Sequence, residues 1–564
     1  MFYENIHLYF QPIASGPRLH ICVPAAPITI FVGPNGAGKS TAVRDLANTP
    51  DKAFIACGRT LSKESLEFYH HKYKTATSTL SYTEEDFKNL QSSVTSLDLQ
   101  FRNRSPGNIL HLPTGKGHKL TAQFYHYLDD CEKEQRLILS VSNSITQIAD
   151  GPRGAFKGPP GSRLDVLFRD RLALASLRSR ISEMFGLFPV IDASQGHLQL
   201  RFSRSPPPEG LEQSITPENE AFMDAAQQHP HLSDGTRTYI ALWGHLLSGN
   251  ERLIFLDEAG AFLHPPLARK LGKDLTQLAV ERNGHVFAAT HSPDFVLGCV
   301  QAGCKANVIR LTHRNNSSTA RLLSADNLLP LMRDPLLRSS NIISGLFHDG
   351  VIICEADADR AFYQEINERL LDEREGLNSC HFVNAQNWQT IPRITSALRN
   401  LGIPAAQLVD LDAVIHEDSR FLLESAGVPT IIARGLGQVR GELARAVSDR
   451  KELKEKGLDA VPDDLKGSWR QYLQDLSGYG IFAVPVGELE GWFPEFNIPR
   501  NRKGEWIVRT FEKMGSDQTS TSYLRPTNGG PWEFMRAVSR WILDPERKGI
   551  PTSGTTDKII CSTP

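Results

Sequence analysis

A short run, Ile28-Thr29-Ile30-Phe31-Val32, leads directly into Gly33-Pro34-Asn35-Gly36-Ala37-Gly38-Lys39-Ser40, and no breaker follows until Asn48-Thr49-Pro50. Strand, glycine-rich loop and helix in that order leave a chain few folds to adopt. Three glycines let the backbone curl around an anion, so that its N–H groups and the positive end of the next helix face phosphate oxygens. Lys39 then reaches the β- and γ-phosphates and the Ser40 hydroxyl a Mg²⁺ ion. Asn35, Gly36, Gly38 and Thr41 complete the nucleotide-binding loop.

Far downstream, Leu253-Ile254-Phe255-Leu256 is continuously apolar and ends in Asp257-Glu258. Such a run reads as a strand buried on both faces, with two carboxylates at the carboxyl end, where open α/β sheets hold their ligands. Asp257 suits Mg²⁺ through its water shell, and Glu258 suits orientation of an attacking water. A helix follows, with Leu267, Leu271, Leu275 and Leu278 on one face. Residues 285–289 form a further strand, ending in Thr290-His291-Ser292, from which His291 can sense a γ-phosphate. Upstream, Ser233, Asp234 and Gly235 open a helix and offer a second anion-binding end.

This ordered set resembles the ABC-type ATPases of the SMC, RecF and OLD group. The resemblance implies that Ser233 and Gly235 belong to a signature motif completing the nucleotide site of a second copy. It also implies that His291 is the switch histidine and that Ala259-Gly260-Ala261 stands at the D-loop. Asp234 occupies a position where transporter ATPases usually carry glycine or serine.

The second half repeats the theme with acids. Val351-Ile352-Ile353-Cys354 ends in Glu355, with Asp359 one turn on; residues 405–409 form a strand ending in Asp410-Leu411-Asp412. On an extended strand, residues two apart share a side, so both aspartates are expected to face one metal cluster. A strand at residues 481–486 precedes Glu488 and Glu490, again two apart. Up to six carboxylates thus stand at three strand ends, an oxygen-only donor set that suits Mg²⁺ or Mn²⁺ rather than zinc.

This pattern resembles the Toprim domain, and its union with the ATPase resembles the OLD family of ATP-dependent nucleases, relatives of the Gabija nuclease and of retron-associated effectors. The resemblance implies that Glu355, Asp359, Asp410 and Asp412 bind metal, with Glu488 or Glu490 as the later carboxylate; Glu355, Asp410 and Glu490 act catalytically. Ala356 stands where Toprim proteins carry glycine. Lys503 and Lys513 match loosely the lysine that these nucleases carry after the last carboxylate.

The fold expected is α/β: an ABC-type P-loop ATPase domain over residues 1–340, with an inserted, largely helical lobe at about 60–228. A Toprim domain follows over 347–495, its parallel sheet flanked by helices, with a C-terminal extension over 496–564. Within the lobe, helices are expected at residues 121–135 and 163–184. The second carries Arg163, Arg169, Arg171, Arg178 and Arg180, either a phosphate-binding stripe or a solvated face interleaved with Asp165, Asp170 and Glu183.

With 564 residues, 40% hydrophobic and 22% charged, the chain has ordinary globular composition and room for two or three domains. A formal net charge of −2 supplies no global basic field, so nucleic acid would need a local patch, for which residues 500–509 are a candidate. Eight cysteines without any Cys-x-x-Cys read as reduced thiols rather than zinc ligands. No run of 18 apolar residues occurs, and Glu4 stands where a leader would be basic, so the expectation is a cytoplasmic protein without membrane contact.

Two functions compete. One is an ATP-regulated, Mg²⁺- or Mn²⁺-dependent endonuclease acting on nucleic acid, DNA ahead of RNA, in anti-phage or mobile-element defence. It would work as a homodimer or higher even oligomer through its ATPase heads, with a defence-system subunit or retron nucleic acid as a possible partner. The other is an ATP-gated clamp or sensor whose Toprim domain is catalytically weak. A primase or topoisomerase finds no support, since zinc-ribbon cysteines and a marked nucleophilic tyrosine are missing.

Overall fold

A computed structural model describes residues 5–48, 136–139, 145–323, 341–500 and 503–549, apart from a few positions within those spans, with isolated positions between 328 and 337. The expected helix at 121–135 lies outside the described residues. Strands β1 (Asn5–Phe10) and β2 (Leu19–Pro24) form an antiparallel ribbon. Next come β3 (Ile28–Val32), the helix Lys39–Asn48 and β4 (Arg136–Leu139).

The part of the lobe that is described combines helices with a small sheet. Strands β5 (Asp150–Pro152), β6 (Phe188–Asp192), β7 (His197–Ser203) and β8 (Gln227–Gln228) form an antiparallel sheet, with β7 pairing all three others. Alternation in β7, whose even-numbered positions from Leu198 to Phe202 are buried, is the period-two pattern of a sheet with one covered face. The helix expected at 163–184 is two helices, Arg163–Arg169 and Arg171–Phe185. Asp170 breaks them, because its carboxylate accepts the Leu172 and Ala173 N–H groups (both 3.0 Å) and caps the second. Four of the five arginines are consumed in ion pairs: Arg163 with Glu251, Arg169 with Asp165, Arg178 with Glu212 and Arg180 with Asp274. They tie the lobe to itself and to the main sheet, and neither a phosphate stripe nor a solvated face describes them.

Strands β9 (Leu253–Leu256), β10 (His285–Ala289), β11 (Ala306–Arg314) and β12 (Ser317–Leu323) complete a six-stranded sheet of order β12-β11-β3-β10-β9-β4. All neighbours are parallel except the β11–β12 edge pair. Every residue of β3, β9 and β10 is buried because both faces are covered. Ile28, Ile30 and Val32 face one apolar cluster, while Phe31 faces another, with Phe10, Val43 and Leu46.

A second sheet, β14-β13-β15-β16, is wholly parallel: β13 (Gly350–Cys354), β14 (Cys380–Asn384), β15 (Ala405–Val409) and β16 (Ile481–Ala483). Strand β16 is half the length expected. Helix Asp357–Asp372 follows β13, and Ile391–Asn400 precedes β15. The helices Lys503–Met514 and Gly530–Leu543 contribute Trp506, Trp532 and Trp541 to the core on one face of this sheet, beside Phe362 and Trp492. Buried Arg369 fastens the end of the first and the segment that follows it by donating to the carbonyls of Met514, Gly515 and Leu524 at 3.0, 2.6 and 2.8 Å. Among the described residues, no helix is long and apolar enough to cross a membrane.

Candidate functional sites

Parallel pairing sets the first site, because it brings the carboxyl ends of β3, β9 and β10 to one edge. The register Ala288↔Leu256 leaves Asp257-Glu258 and Thr290-His291 side by side, and Ala259 N–H donates to the Ala289 carbonyl at 2.8 Å. The loop after β3 depends on its glycines. At Gly33 (φ +142°) a Cβ would overlap the Leu311 carbonyl, and at Gly38 (φ +87°) that of Pro12. Lys39 is 4% exposed, and its ammonium donates to the Gly33 and Pro34 carbonyls, both at 2.8 Å. Burial lowers its pKa to about 8, with the Glu258 charge opposing.

Asp257 is buried; its Oδ2 takes the Arg44 guanidinium at 2.7 Å, and its Oδ1 has no hydrogen-bond partner. An orphaned carboxylate oxygen at this edge fits a hydrated Mg²⁺ ion, and half-buried Ser40 stands in the first turn of the helix that follows the glycine loop. Exposed Glu258 sits at φ +56°, a left-handed conformation that a glutamate adopts only where its surroundings impose it. Burial and the Lys39 ammonium hold the His291 imidazole below its ordinary pKa, against the pull of Asp257, so it is neutral at physiological pH. Lys39, Asp257, Glu258 and His291 therefore share one electrostatic neighbourhood. Ser233 caps helix Asp234–Leu247, its Oγ accepting the Thr236 N–H at 3.3 Å. Gly235 lies so close to the Phe262 carbonyl that a Cβ would overlap it, and the Phe262 ring is 66% exposed.

The second site lies at the carboxyl ends of β13 and β15. Glu355 Oε1 accepts the Asp410 backbone N–H at 2.9 Å. Desolvation and the Asp410 charge push the Glu355 carboxyl up to about 8, although that hydrogen bond and Lys454 pull the other way. Asp359 accepts the Ala356 N–H at 3.1 Å and caps the following helix. Ala356 has φ −138°, extended backbone open to any residue, so alanine replaces the expected glycine without strain.

Asp410 and Asp412 lie beyond the last residue of β15, with Asp412 in a helical turn, so strand alternation does not align them. A lysine does. Lys454 Nζ stands 2.8 Å from Asp410 Oδ2 and 3.8 Å from Asp412 Oδ1. Desolvation disfavours its charge, but Asp410, Asp412 and Glu355 outweigh that and raise its pKa. Glu488 and Glu490 are buried, and the 3₁₀ turn Leu489–Gly491 ends the strand alternation expected of them. Glu488 lines a cleft of about 970 Å³ beside Trp492, Phe493 and Trp532, whereas Glu490 does not. Among the described residues no three His, Cys, Asp or Glu side chains stand at metal-ligating spacing. Lys513 donates instead to the Phe496 carbonyl, and the Lys503 side chain lies outside the described set.

Lys454 and Arg44 escaped the sequence reading. Lys454 sits in the charge run Arg-Lys-Glu-Leu-Lys-Glu-Lys, where nothing separates it from its solvated neighbours. A third group missed joins the two sites. The Phe347 ring lies 6.4 Å from that of His291, Arg310 of β11 donates to the His348 carbonyl at 2.8 Å, and Arg314 pairs with Asp349 at 3.0 Å. Residues 347–349 run directly into β13, which carries Glu355.

Residues 163–297 match the AAA_21 family of AAA domains, whose description names the AbiEii toxin and a type IV toxin–antitoxin system. Residues 346–412 match the TOPRIM domain of overcoming-lysogenization-defect-like proteins. The first span holds Ser233, Asp257, Glu258 and His291; the second holds Glu355, Asp359, Asp410 and Asp412. No curated protein matches. The cbiO1 structure from Clostridium perfringens, part of the ABC transporter complex cbiONQ, is 14% identical. It covers 60% of this chain and 95% of its own, with a TM-score of 0.27. An SmcHead bound to the C-winged helix domain of ScpA is 11% identical, covering 58% and 100%, at 0.30. The Smc head with an extended coiled coil, bound to the C-terminal domain of ScpA derived from Pyrococcus furiosus, is 9% identical, covering 54% and 63%, at 0.22. An AAA-type ATPase segment followed in one polypeptide by an OLD-like Toprim segment is the domain pair of the OLD family of ATPase–Toprim nucleases, and the two matches support that family for this chain.

Proposed function

We propose that the chain hydrolyses nucleic-acid phosphodiesters in a divalent-metal-dependent reaction controlled by ATP, and that it serves in defence against phage or mobile elements. The observation carrying this reading is the meeting of Glu355 and Asp410 at adjacent strand ends, where one carboxyl is held back from ionising by desolvation and by the other's charge. Concentrated negative charge with oxygen donors fits a hard divalent cation, Mg²⁺ or Mn²⁺. Such a cation, when bound, neutralises the phosphodiester and activates water. Glu355, Asp359, Asp410 and Asp412 would hold it, and Glu488 or Glu490 would supply a further carboxylate. DNA is the substrate we favour.

At the ATP site, Lys39 would exchange its two loop carbonyls for nucleotide phosphates, Asp257 with Ser40 would hold Mg²⁺, and Glu258 would orient the attacking water. Neutral His291 accepts or donates a single hydrogen bond to the γ-phosphate region. Control of cleavage passes through its neighbour Phe347 and through the Arg310 and Arg314 contacts to His348 and Asp349. Ser233 and Gly235 act on the nucleotide of a second copy, and the exposed Phe262 ring beside them belongs to that dimer interface. The toxin named in the matched ATPase family's description supports the defence role. One observation favours the alternative, an ATP-gated clamp with a weak Toprim site: among the described residues no group of three His, Cys, Asp or Glu side chains reaches metal-ligating spacing.

Plasmid, linear duplex and RNA incubated with Mg²⁺ or Mn²⁺, with and without ATP, separate the two readings. Asp410→Ala is expected to abolish cleavage while ATP hydrolysis continues. Cleavage that survives in Asp410→Ala moves the active site elsewhere, and a wild type inert on every substrate supports the clamp.

A further inference from the structure

We propose that Lys454 is a positioning residue of the acidic site: its ammonium holds the place between Asp410 and Asp412 that a divalent cation takes, and then turns to the substrate phosphate. The inference rests on the reading that this cluster binds metal. With Nζ at 2.8 and 3.8 Å from the two aspartates, the lysine is the cation they share in this structure.

The backbone beneath Lys454 is fixed by unusually close approaches. At Gly487 (φ +100°) a Cβ would overlap the Lys454 carbonyl, and at Gly457 (φ +60°) one would overlap that of Pro485. Leu458 N–H donates to the Pro485 carbonyl at 3.0 Å, and Leu411 N–H donates to the Gly487 carbonyl at 2.8 Å. The lysine's own helix, the loop leading to Glu488 and the Asp410–Asp412 turn are therefore one rigid assembly. Buried Leu453 pins the helix Arg450–Lys456 from below. Only the side chain is free to move: it is 35% exposed on a flexible four-carbon stem. An ammonium and a dication cannot share the same two carboxylates without mutual repulsion. Because its backbone stays in place, the displaced ammonium would remain within reach of a substrate phosphate oxygen brought in by that cation, where it would act as a point charge.

The test is Mn²⁺ binding to the full chain by titration calorimetry, without nucleotide or nucleic acid. Lys454→Met is expected to bind Mn²⁺ at least tenfold more tightly than wild type, since no charge has to be displaced, yet to cleave at least tenfold more slowly at saturating Mn²⁺. Lys454→Arg, which keeps the charge, should retain the weaker wild-type affinity. A merely structural lysine would not tighten metal binding on removal. Unchanged or weaker Mn²⁺ affinity in folded Lys454→Met overturns the proposal, and Lys454→Gln is held to the same result if the methionine variant does not fold. Asp410→Asn tests the underlying reading separately: if it binds Mn²⁺ as wild type does, the metal site itself lies elsewhere and the role of Lys454 falls with it.

Discussion

Arg310→Met removes one of the three contacts that link the two sites without touching a residue of either. Arg310 is 5% exposed, and burial lowers its pKa only to about 10, so the guanidinium stays charged at neutral pH. Its hydrogen bond to the His348 carbonyl, 2.8 Å long, joins the strand beside the phosphate loop to the segment entering β13. Methionine keeps the aliphatic stem and removes the donor. A hydrogen bond from a charged group contributes about 1.5–3 kcal/mol. The acceptor residue His348 is half-buried, so the net loss should lie at the lower end, about 1.5–2 kcal/mol, a sizeable part of the roughly 5–15 kcal/mol that holds a domain folded. Urea unfolding reads the stability change. The decisive assay compares cleavage with and without ATP: that ratio is expected to fall toward one in Arg310→Met, with ATP hydrolysis within about twofold of wild type, as coupling energies of 1–3 kcal/mol imply. A variant that is destabilised yet keeps the full wild-type ATP response would refute the coupling route.

Three further outcomes are expected. Glu258→Gln retains shape but cannot draw a proton from water, so it should trap ATP and lower turnover by about 10²–10⁴-fold, read as single-turnover hydrolysis; turnover at the wild-type rate assigns that role to another group. Burial drops the His285 pKa from 6.5 to about 3, so between those values the unfolded chain binds the extra proton and stability falls as pH falls. At pH 5 the loss is about 2 kcal/mol, from about 1.4 kcal/mol per pH unit below 6.5, and His285→Phe should flatten this part of the pH profile in urea melts. Phe262→Asp should weaken association of the ATP-analogue-bound protein in light scattering, and a strictly monomeric wild type at micromolar concentration would contradict the two-copy site.

Much of this protein was legible from local pattern. The glycine spacing of residues 33–40 is dictated by positive φ angles and by close approach to Leu311 and Pro12, and no other residue type meets those conditions. The continuously apolar runs at β3, β9, β10 and β13 follow from burial on both faces of a sheet, which forces every side chain to be compatible with a core. Both are short-range requirements, so a sequence read without a structure exposes them. The same reading fails where local rules give out: strand alternation does not carry past Val409 or Ala483, and a helical period across Asp170 conceals a cap.

Partnership across long separations belongs to tertiary structure alone. Lys454 meets Asp410 across the intervening helices because glycines at 457 and 487 let two backbones touch, and nothing in a charge run records which lysine will be chosen. Arg163, Arg178 and Arg180 look like a surface stripe in sequence, yet the fold places a carboxylate beside each. The approach of His291 to Phe347 and the contact of Arg310 with His348 likewise arise only when the two sheets share one apolar core. The sequence by itself determined which chemistry each strand end carries, since that chemistry is written in contiguous residues. Which charges neutralise one another, and how the nucleotide edge touches the acidic edge, was decided by packing, because those energies depend on distances that only the folded chain sets.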